Sequence, residues 1–418
     1  MGTIKVVVVG GGAAGLMAAA RAAECGADVV VLEKMATPAR KLRITGKGRC
    51  NLTNSAEIDA FLSHFGRSGL FLRQSFSRFF SGELIDFFKD QGLAIVVERG
   101  GRIFPADGDA PAVARALTDW NYSCGVRIRT RCPVNRLIVS TGKITGVVCS
   151  GEQIDADRVI VATGGKSYPR TGSTGDGYRL ARDVGHTLTP IKPALVPIIG
   201  ANLDLREAAG LTLKNVRARL YLDRKRRCDE FGELTFTAGG LGGPIILTMS
   251  SLVVDALQAG SKVVVSLDLK PALDDAKLEA RLLRDLHNRG REPMSSILRG
   301  MLPKQLVAHC LEEAGIDPAE QGNRLRSDQR KRLRVWLKDF RIEISGYGTF
   351  DEAIITSGGV STREIDPTTM QSKFVKGLYF AGELLDIQAD TGGYNLQAAF
   401  STGWVAGNAA ALPDQEVS

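Results

Sequence analysis

The sequence predicts an α/β fold of the Rossmann type, discontinuous along the chain, with a β-rich and helical domain inserted into it. Three observations carry this expectation. A β-branched run near the start leads straight into a glycine-rich turn and a helix. An antiparallel meander farther on feeds a strand that closes on a glycine pair. The character of the chain changes over residues 191–345 and then returns to core-like sequence.

The opening stretch sets the organisation. Lys5-Val6-Val7-Val8-Val9 has strand length and composition, Gly10-Gly11-Gly12-Ala13-Ala14-Gly15 follows at once, and Leu16 to Cys25 reads as helix. A second strand, Asp28 to Leu32, ends on Glu33. This order is the dinucleotide-binding β-α-β fingerprint in its proper context. Gly10 permits the tight turn, Gly12 lets a pyrophosphate approach the backbone, and Gly15 lets the helix lie close to the strand. The helix N-terminus presents free N–H groups and a positive dipole end to phosphates. Glu33 is placed to accept hydrogen bonds from ribose hydroxyls and to repel a 2′-phosphate, which disfavours NADP here. FAD and NAD share this half-site, so the fingerprint alone does not choose between them.

The 418 residues suffice for one large or two medium domains with real cores, and 44% hydrophobic with 24% charged residues is ordinary for a globular protein. No basic, cleavable apolar leader precedes the first strand, and the longest apolar-looking stretch, Val6 to Ala20, is too short to span a bilayer. The expected location is the cytoplasm, without membrane attachment. Seven scattered cysteines without a C-x-x-C, and four histidines without ligand spacing, predict no metal site and mostly plain structural cysteines. The net charge of +8 is compatible with an anionic partner. Residues 321–341 hold eight Arg or Lys against two acids, and Arg224-Lys225-Arg226-Arg227 forms a second basic knot. Either cluster alone reads first as solvated surface.

Past Lys34, a loop from Arg40 to Asn54 carries five basic residues and no acid between Arg40 and Arg49. Thr45, Gly46 and Gly48 would let its backbone N–H groups face an anion, so Arg40, Lys41, Arg49 and Asn51 are candidate cofactor contacts. The phenylalanine-rich stretch from Phe61 to Gln91 predicts helix packing. Strands are expected at Leu93–Glu98 and Val126–Thr130, and a helix over Ala110–Asn121. The meander follows as Val134–Ser140, Ile144–Cys149 and Glu152–Ala156. It runs into Arg158–Val161 and then Ala162-Thr163-Gly164-Gly165, with Thr163 and Gly164 as further cofactor candidates. A fingerprint, a meander and a strand closing on Ala-Thr-Gly-Gly is the order of FAD-binding domains of the glutathione-reductase type. The loop Tyr168 to Tyr178 opens another helix, and Pro190, Pro193 and Pro197 mark a domain exit.

The expected domains are 1–190 with 346–418, and 191–345. The insert should hold strands at Leu211–Leu222, Gly232–Thr237 and Lys262–Leu269, with basic helices at Ala276–His287, Pro303–Ala314 and Gln329–Phe340. Gly239 to Pro244 reads as a turn region. No second fingerprint for NAD(P)H follows a strand. Near the end, Gly377 to Glu383 is a strand ending in Gly-Glu, and a small-residue helix spans Ala398 to Ala411. Its dipole suits the pyrimidine side of a flavin.

Taken together, Arg40-Lys41 through Gly48-Arg49-Cys50-Asn51-Leu52-Thr53-Asn54, Tyr168-Pro169 through Gly177-Tyr178, and Gly377 through Gln397 strongly resemble the YhiN-like flavoproteins, the BaiN/RdsA family of NAD(P)/FAD-dependent oxidoreductases. The resemblance spans nearly the whole chain. It implies noncovalent FAD in a discontinuous domain, with NAD(P)H a candidate electron donor. Position by position, Gly10, Gly12, Ala14, Gly15 and Glu33 match the ADP site, with Ala13 inside the same turn. Lys34 and Arg40 match its flank and Val134 the adenine-side backbone contact. Gly382, Glu383, Asn395, Leu396 and Gln397 match the flavin end. The chain departs from the family pattern at Ala39, where glycine is usual, and at Ala238 and Gly242, where the insert usually carries His and Ser.

Within that family some members are 23S rRNA dihydrouridine synthases and others reduce activated C=C bonds of small molecules. The leading expectation is therefore reduction of uracil C5=C6 in 23S rRNA or a ribosomal precursor, with hydride reaching C6 and a protein acid protonating C5. Cys50 is the candidate acid, because a thiol in an Arg- and Lys-rich loop can be tuned toward working pH. A buried structural cysteine is the competing reading. Tyr168 and Arg170 are the other candidates. The alternatives are an oxidoreductase for a small enone or amine, and a non-catalytic flavoprotein scaffold.

Overall fold

In the computed structural model, residues 2–201 and 206–413 are described. β1 (Lys5–Val9), α1 (Ala13–Glu24) and β2 (Asp28–Leu32) form the fingerprint unit. β1 lies at the middle of a five-stranded sheet, ordered Leu378–Phe380, Arg158–Val161, β1, β2, Arg127–Arg129. Every pairing in it is parallel. Val6 to Val9 are buried, as a strand covered on both faces requires, and each such valine contributes about 1.5–3 kcal/mol of transfer free energy. The meander follows its expected course, with Val134–Ser140, Lys143–Cys149 and Glu152–Asp155 pairing antiparallel.

The chain divides into two units, 1–193 with 350–418, and 194–349. The first holds the parallel sheet and the helices over it. The stretch expected as aromatic helix is broken into Ile58–Ser63, Gly69–Phe76 and Ser81–Asp90, with Gly66 and Phe80 between segments. Its rings nevertheless pack as predicted: Phe61 meets Phe76, Phe80 and Tyr394 edge-on at centroid distances of 5.2, 4.9 and 4.7 Å.

The last helix (Tyr394–Ala411) is longer than expected and lies along α1. Its small residues explain the closeness. A Cβ on Gly403 would stand 2.4 Å from the Ala14 carbonyl oxygen, and one on Gly407 2.2 Å from that of Ala18. Gly403 over Ala14 and Gly407 over Ala18 means the helices run parallel. The last helix begins nine residues before Gly403 and α1 one residue before Ala14, so the last helix projects about 12 Å farther at its N-terminal end at 1.5 Å per residue.

The second unit is built on a closed barrel of six strands rather than separate strand signals. Its long hairpin pairs Thr212–Leu222 with Lys225–Thr237, and helices including Pro244–Gln258, Asp275–Arg289 and Ser327–Lys338 accompany it. Two expectations are corrected here. Gly240–Gly242 is a barrel strand, not a turn, because a Cβ on Gly240 would strike the Ile198 carbonyl oxygen at 2.0 Å and only glycine allows that pairing. Phe340 belongs to a strand, Phe340–Tyr347, and not to the preceding helix. Among the described residues no helix is long and apolar enough to cross a membrane.

Gly407→Ala is expected to lower stability by about 1–3 kcal/mol through overpacking against α1. Gly82→Ala, at an open helical position, should be neutral or stabilising by up to about 1 kcal/mol. Urea denaturation of the two variants checks the contrast.

Candidate functional site

The ADP end is built by β1, α1 and β2. A Cβ on Gly10 would meet the Ala162 carbonyl oxygen at 2.7 Å and one on Gly15 the Gly10 carbonyl oxygen at 1.9 Å, so both glycines are sterically required. Gly12 is different: a Cβ there meets nothing within 4 Å, leaving a cradle open at the N-terminus of α1. Ala13 and Ala14 begin α1, and Ala14 touches the turn after the last sheet strand, where a Cβ on Gly382 would come within 2.8 Å of its own. Glu33 is buried and accepts from the Gly11 N–H at 2.8 Å and the Met35 N–H at 2.7 Å. Each carboxylate oxygen keeps a second lone pair for a ribose hydroxyl. Lys34 donates to Thr174 and Asp176, both at 2.5 Å, which ties the strand end to the glycine-rich loop.

On the adenine side, Val134 is buried and pairs with Cys149, while the Cys132 N–H donates to the Glu33 carbonyl oxygen at 2.9 Å. Cys132 and Cys149 form a disulfide. This corrects the expectation of plain cysteines. The two lie 17 residues apart with no motif between them, and only the meander's register brings them together.

The loop after β2 turns inward at both ends and outward between them. Lys41 donates to Ser167 Oγ and Glu383 Oε2, both at 2.6 Å. Asn51, with its amide oriented to satisfy both ends, accepts from the Gly393 N–H at 3.0 Å, directly ahead of the last helix. Arg40, Gly46 and Arg49 are exposed, Thr45 and Gly48 half-buried. Arg49 is engaged elsewhere, paired with Glu98 and stacked over Phe104 at 4.4 Å. Thr45 donates to the Leu42 carbonyl oxygen at 2.8 Å.

Glu383 is the hub of the flavin end. It accepts from Thr356 N at 2.8 Å and Ser167 Oγ at 2.9 Å, besides Lys41. Burial first, then the Glu383 and Asp386 carboxylates, push the Tyr178 phenol well above the usual tyrosine range. Thr163 Oγ1 is buried with no hydrogen-bond partner among the described residues, and Gly177 is packed so closely that a Cβ there would stand 2.1 Å from it. Gly164 follows with φ of 71°. Asn395 closes the turn before the last helix through the Ala389 N–H and the Ala389 and Asp390 carbonyls, at 2.9, 2.9 and 3.1 Å. Leu396 is half-buried, and Gln397 is buried and donates to Ser401 Oγ at 2.9 Å. Ser167, Asp176, Thr356 and Gly393 were not expected from the sequence. Only Asp176, an acid inside a glycine-rich loop ahead of a helix, carried a readable signal.

The direction of tuning expected for Cys50 is corrected. It is fully buried, packed with Leu16, Met17, Leu42, Leu52 and Phe400, and burial pushes its thiol up to about 12, against a smaller lowering from the Thr45 hydroxyl. Water exclusion outweighs the charges of the loop. Tyr168 is half-buried in the left-handed region, at φ of 53°, and Arg170 is exposed. No cluster of His, Cys, Asp and Glu able to hold a metal occurs among the described residues.

An open helix N-terminus over Gly12, an acid ending β2 and a second helix aimed along the same line fit FAD. They define a Rossmann-type FAD-dependent oxidoreductase. Residues 4–409 match the family described as the HI0933-like protein Rossmann domain, and the chain belongs to that family. It is 35% identical over 409 residues to a 3-dehydro-bile acid delta(4,6)-reductase of Clostridium scindens, covering 97% of this chain and 99% of that one. It is 31% identical over 408 residues to the ribosomal RNA dihydrouridine synthase of Escherichia coli K12, covering 97% of each. Among solved structures it resembles a 3-ketosteroid-delta4-(5alpha)-dehydrogenase from Rhodococcus jostii RHA1, with a TM-score of 0.52 and 18% identity over 98% of this chain and 97% of that one.

Glu33→Ala is expected to weaken FAD binding by about 5- to 150-fold, since it removes a ribose acceptor and orphans the buried Gly11 N–H, a loss of about 1–3 kcal/mol. Titration of the apoprotein with FAD measures it. Cys50 should resist iodoacetamide at pH 8 in the native protein. Unfolded without reductant the chain should take up five adducts, and seven after reduction, as counted by intact mass.

Proposed function

We propose that this protein is an FAD-dependent reductase of a C=C bond conjugated to a carbonyl, and that its substrate is uracil C5=C6 in 23S rRNA or its precursor. The observation that carries the substrate is the net charge of +8 together with the exposed Arg224, Lys225 and Arg227, none of which stands within ion-pair distance of a carboxylate among the described residues. The dihydrouridine synthase likeness supports it. NAD(P)H is the proposed electron donor.

Bound FAD supplies a hydride carrier. The α1 N-terminus and Glu33 hold its adenosine and pyrophosphate end, with Lys34, Arg40, Val134, Thr163 and Gly164 around it. Lys41, Glu383 and Asn51 with the last helix orient the flavin end, and the positive helix end favours negative charge there. Negative charge developing on the substrate carbonyl oxygen calls for a donor or positive charge beside it. Tyr168 Oη, in a half-buried loop, is the proposed proton donor to C5, ahead of Cys50 Sγ, which holds its proton but lies inside the core. Arg170 adds an exposed positive charge. A second reading, a 3-dehydro bile acid or similar small enone as substrate, is favoured by the 35% identity to the Clostridium scindens reductase.

Mass mapping of 23S rRNA from a strain lacking the gene should show loss of a dihydrouridine, restored by the wild-type chain and by Cys50→Ala, and reduced at least tenfold with Tyr168→Phe. Unchanged rRNA in the deletion strain, with turnover of a 3-dehydro-Δ4,6 bile acid by the purified protein, would install the second reading instead.

A further inference from the structure

The two basic clusters of the sequence have different fates. In the helix Ser327–Lys338 and its flanks, most of the cations are paired with carboxylates, several brought in from distant parts of the chain, and among the described residues only Arg324 and Lys331 stand outside ion-pair distance of one. Arg330 and Arg334 both reach Glu279, at 2.6 and 3.1 Å. Lys338 reaches Asp268 at 2.6 Å and also donates to the Lys270 and Leu273 carbonyls. Arg332 pairs with Asp328 at 2.8 Å and Arg341 with Asp339 at 2.9 Å. A guanidinium so held must give up a charge-assisted bond before it can serve a phosphate.

The other cluster sits at the tip of the long barrel hairpin. Its two-residue turn is Asp223-Arg224, both in the left-handed region at φ of 47° and 66°, the geometry that matches strand twist. Asp223 is turned to the backbone: it accepts from the Lys262 N–H at 2.9 Å. Arg226 pairs with Asp229. Tyr221 faces Arg226 and Leu220 faces Cys228, so Arg227 is the extra residue of a β-bulge, which re-aims its side chain out of the ladder. Arg224, Lys225 and Arg227 are exposed; the Asp223 carboxylate attracts Lys225 and Arg227, but among the described residues none of the three stands within ion-pair distance of a carboxylate. On the same ribbon Phe231 is 57% exposed, about 14 Å along the strand from Arg227 at 3.4 Å per residue.

We propose that this hairpin tip is the RNA-docking element of the protein: Arg224, Lys225 and Arg227 take consecutive backbone phosphates, and the Phe231 ring stacks on an unpaired base. The proposal rests on the rRNA reading above. The combination of free cations with an exposed ring favours single-stranded or looped RNA over an acidic protein, since every base offers a face to stack on. It disfavours a membrane surface, because the turn residues themselves carry no apolar side chain to insert.

The test uses the full-length FAD-loaded protein, with fluorescence anisotropy of a labelled 23S rRNA fragment over a potassium chloride series. The triple variant Arg224→Gln, Lys225→Gln, Arg227→Gln should bind about a hundredfold more weakly at 0.1 M salt, and its log–log salt slope should be shallower by about 2 to 3. Phe231→Ala should cost about tenfold with an unchanged slope. The flavin absorbance per chain should stay at the wild-type value in both, separating docking from folding. Wild-type affinity and slope in the triple variant, while the wild-type protein binds and modifies rRNA, would overturn the tip assignment and leave the function standing. Failure of the wild-type protein to bind rRNA at all would overturn both. Tighter wild-type binding to phosphatidylserine vesicles than to rRNA, lost in the triple variant, would assign the tip to a lipid surface instead.

Discussion

The contact on which the site depends is the approach of α1 and the last helix along Ala14, Ala18, Gly403 and Gly407. No side chain separates the backbones at these points, so the offset of the two helices is fixed rather than adjustable. That offset places one positive helix end beside Gly12 and the other about 12 Å farther on, beside Gly393 and Asn395. A dinucleotide has two places where negative charge gathers, the pyrophosphate and the reduced ring, and the helices supply one field for each. Gly382 packed on Ala14 brings the Glu383 hub into the same frame. The spacing between the two helix ends is thus set by the packing of small residues.

What could be read from the chain follows from how local each signal is. The fingerprint, the meander and the closing strand-helix pair are contiguous patterns whose steric reasons lie within a few residues of one another, and the structure holds them where they were expected. The flavin-end network was only half legible. Lys41 and Glu383 stand out by motif, but Ser167 and Thr356 join them from segments whose sequence says nothing of it. Cys50 shows why composition misleads: its neighbours in sequence are cationic, its neighbours in space are Leu16, Met17 and Phe400, and the second set decides its thiol. The Cys132–Cys149 bridge was hidden for the same reason, since pairing register, and not spacing, joins them.

The insert repeats this lesson with charge. Counting residues 321–341 finds an excess of cations, yet Asp268, Asp275 and Glu279 come from outside the window and answer most of it. The shorter knot, four residues in a hairpin, keeps its charge because a two-residue turn has few neighbours. Barrel closure was also beyond the sequence, since it rests on strands as short as Gly240–Gly242, where an absent side chain is the qualification for pairing.

The sheet order carries a consequence for how the molecule is made. β1 and Arg158–Val161 pair early in the chain, but the edge strand Leu378–Phe380 and the helix that lies on α1 are translated long after them. The barrel, complete by Tyr347, has all its strands before them. During synthesis the apolar flank of α1 therefore stays uncovered while about 370 further residues are made, and the nascent chain has to be kept from associating through it until the Tyr394–Ala411 helix emerges.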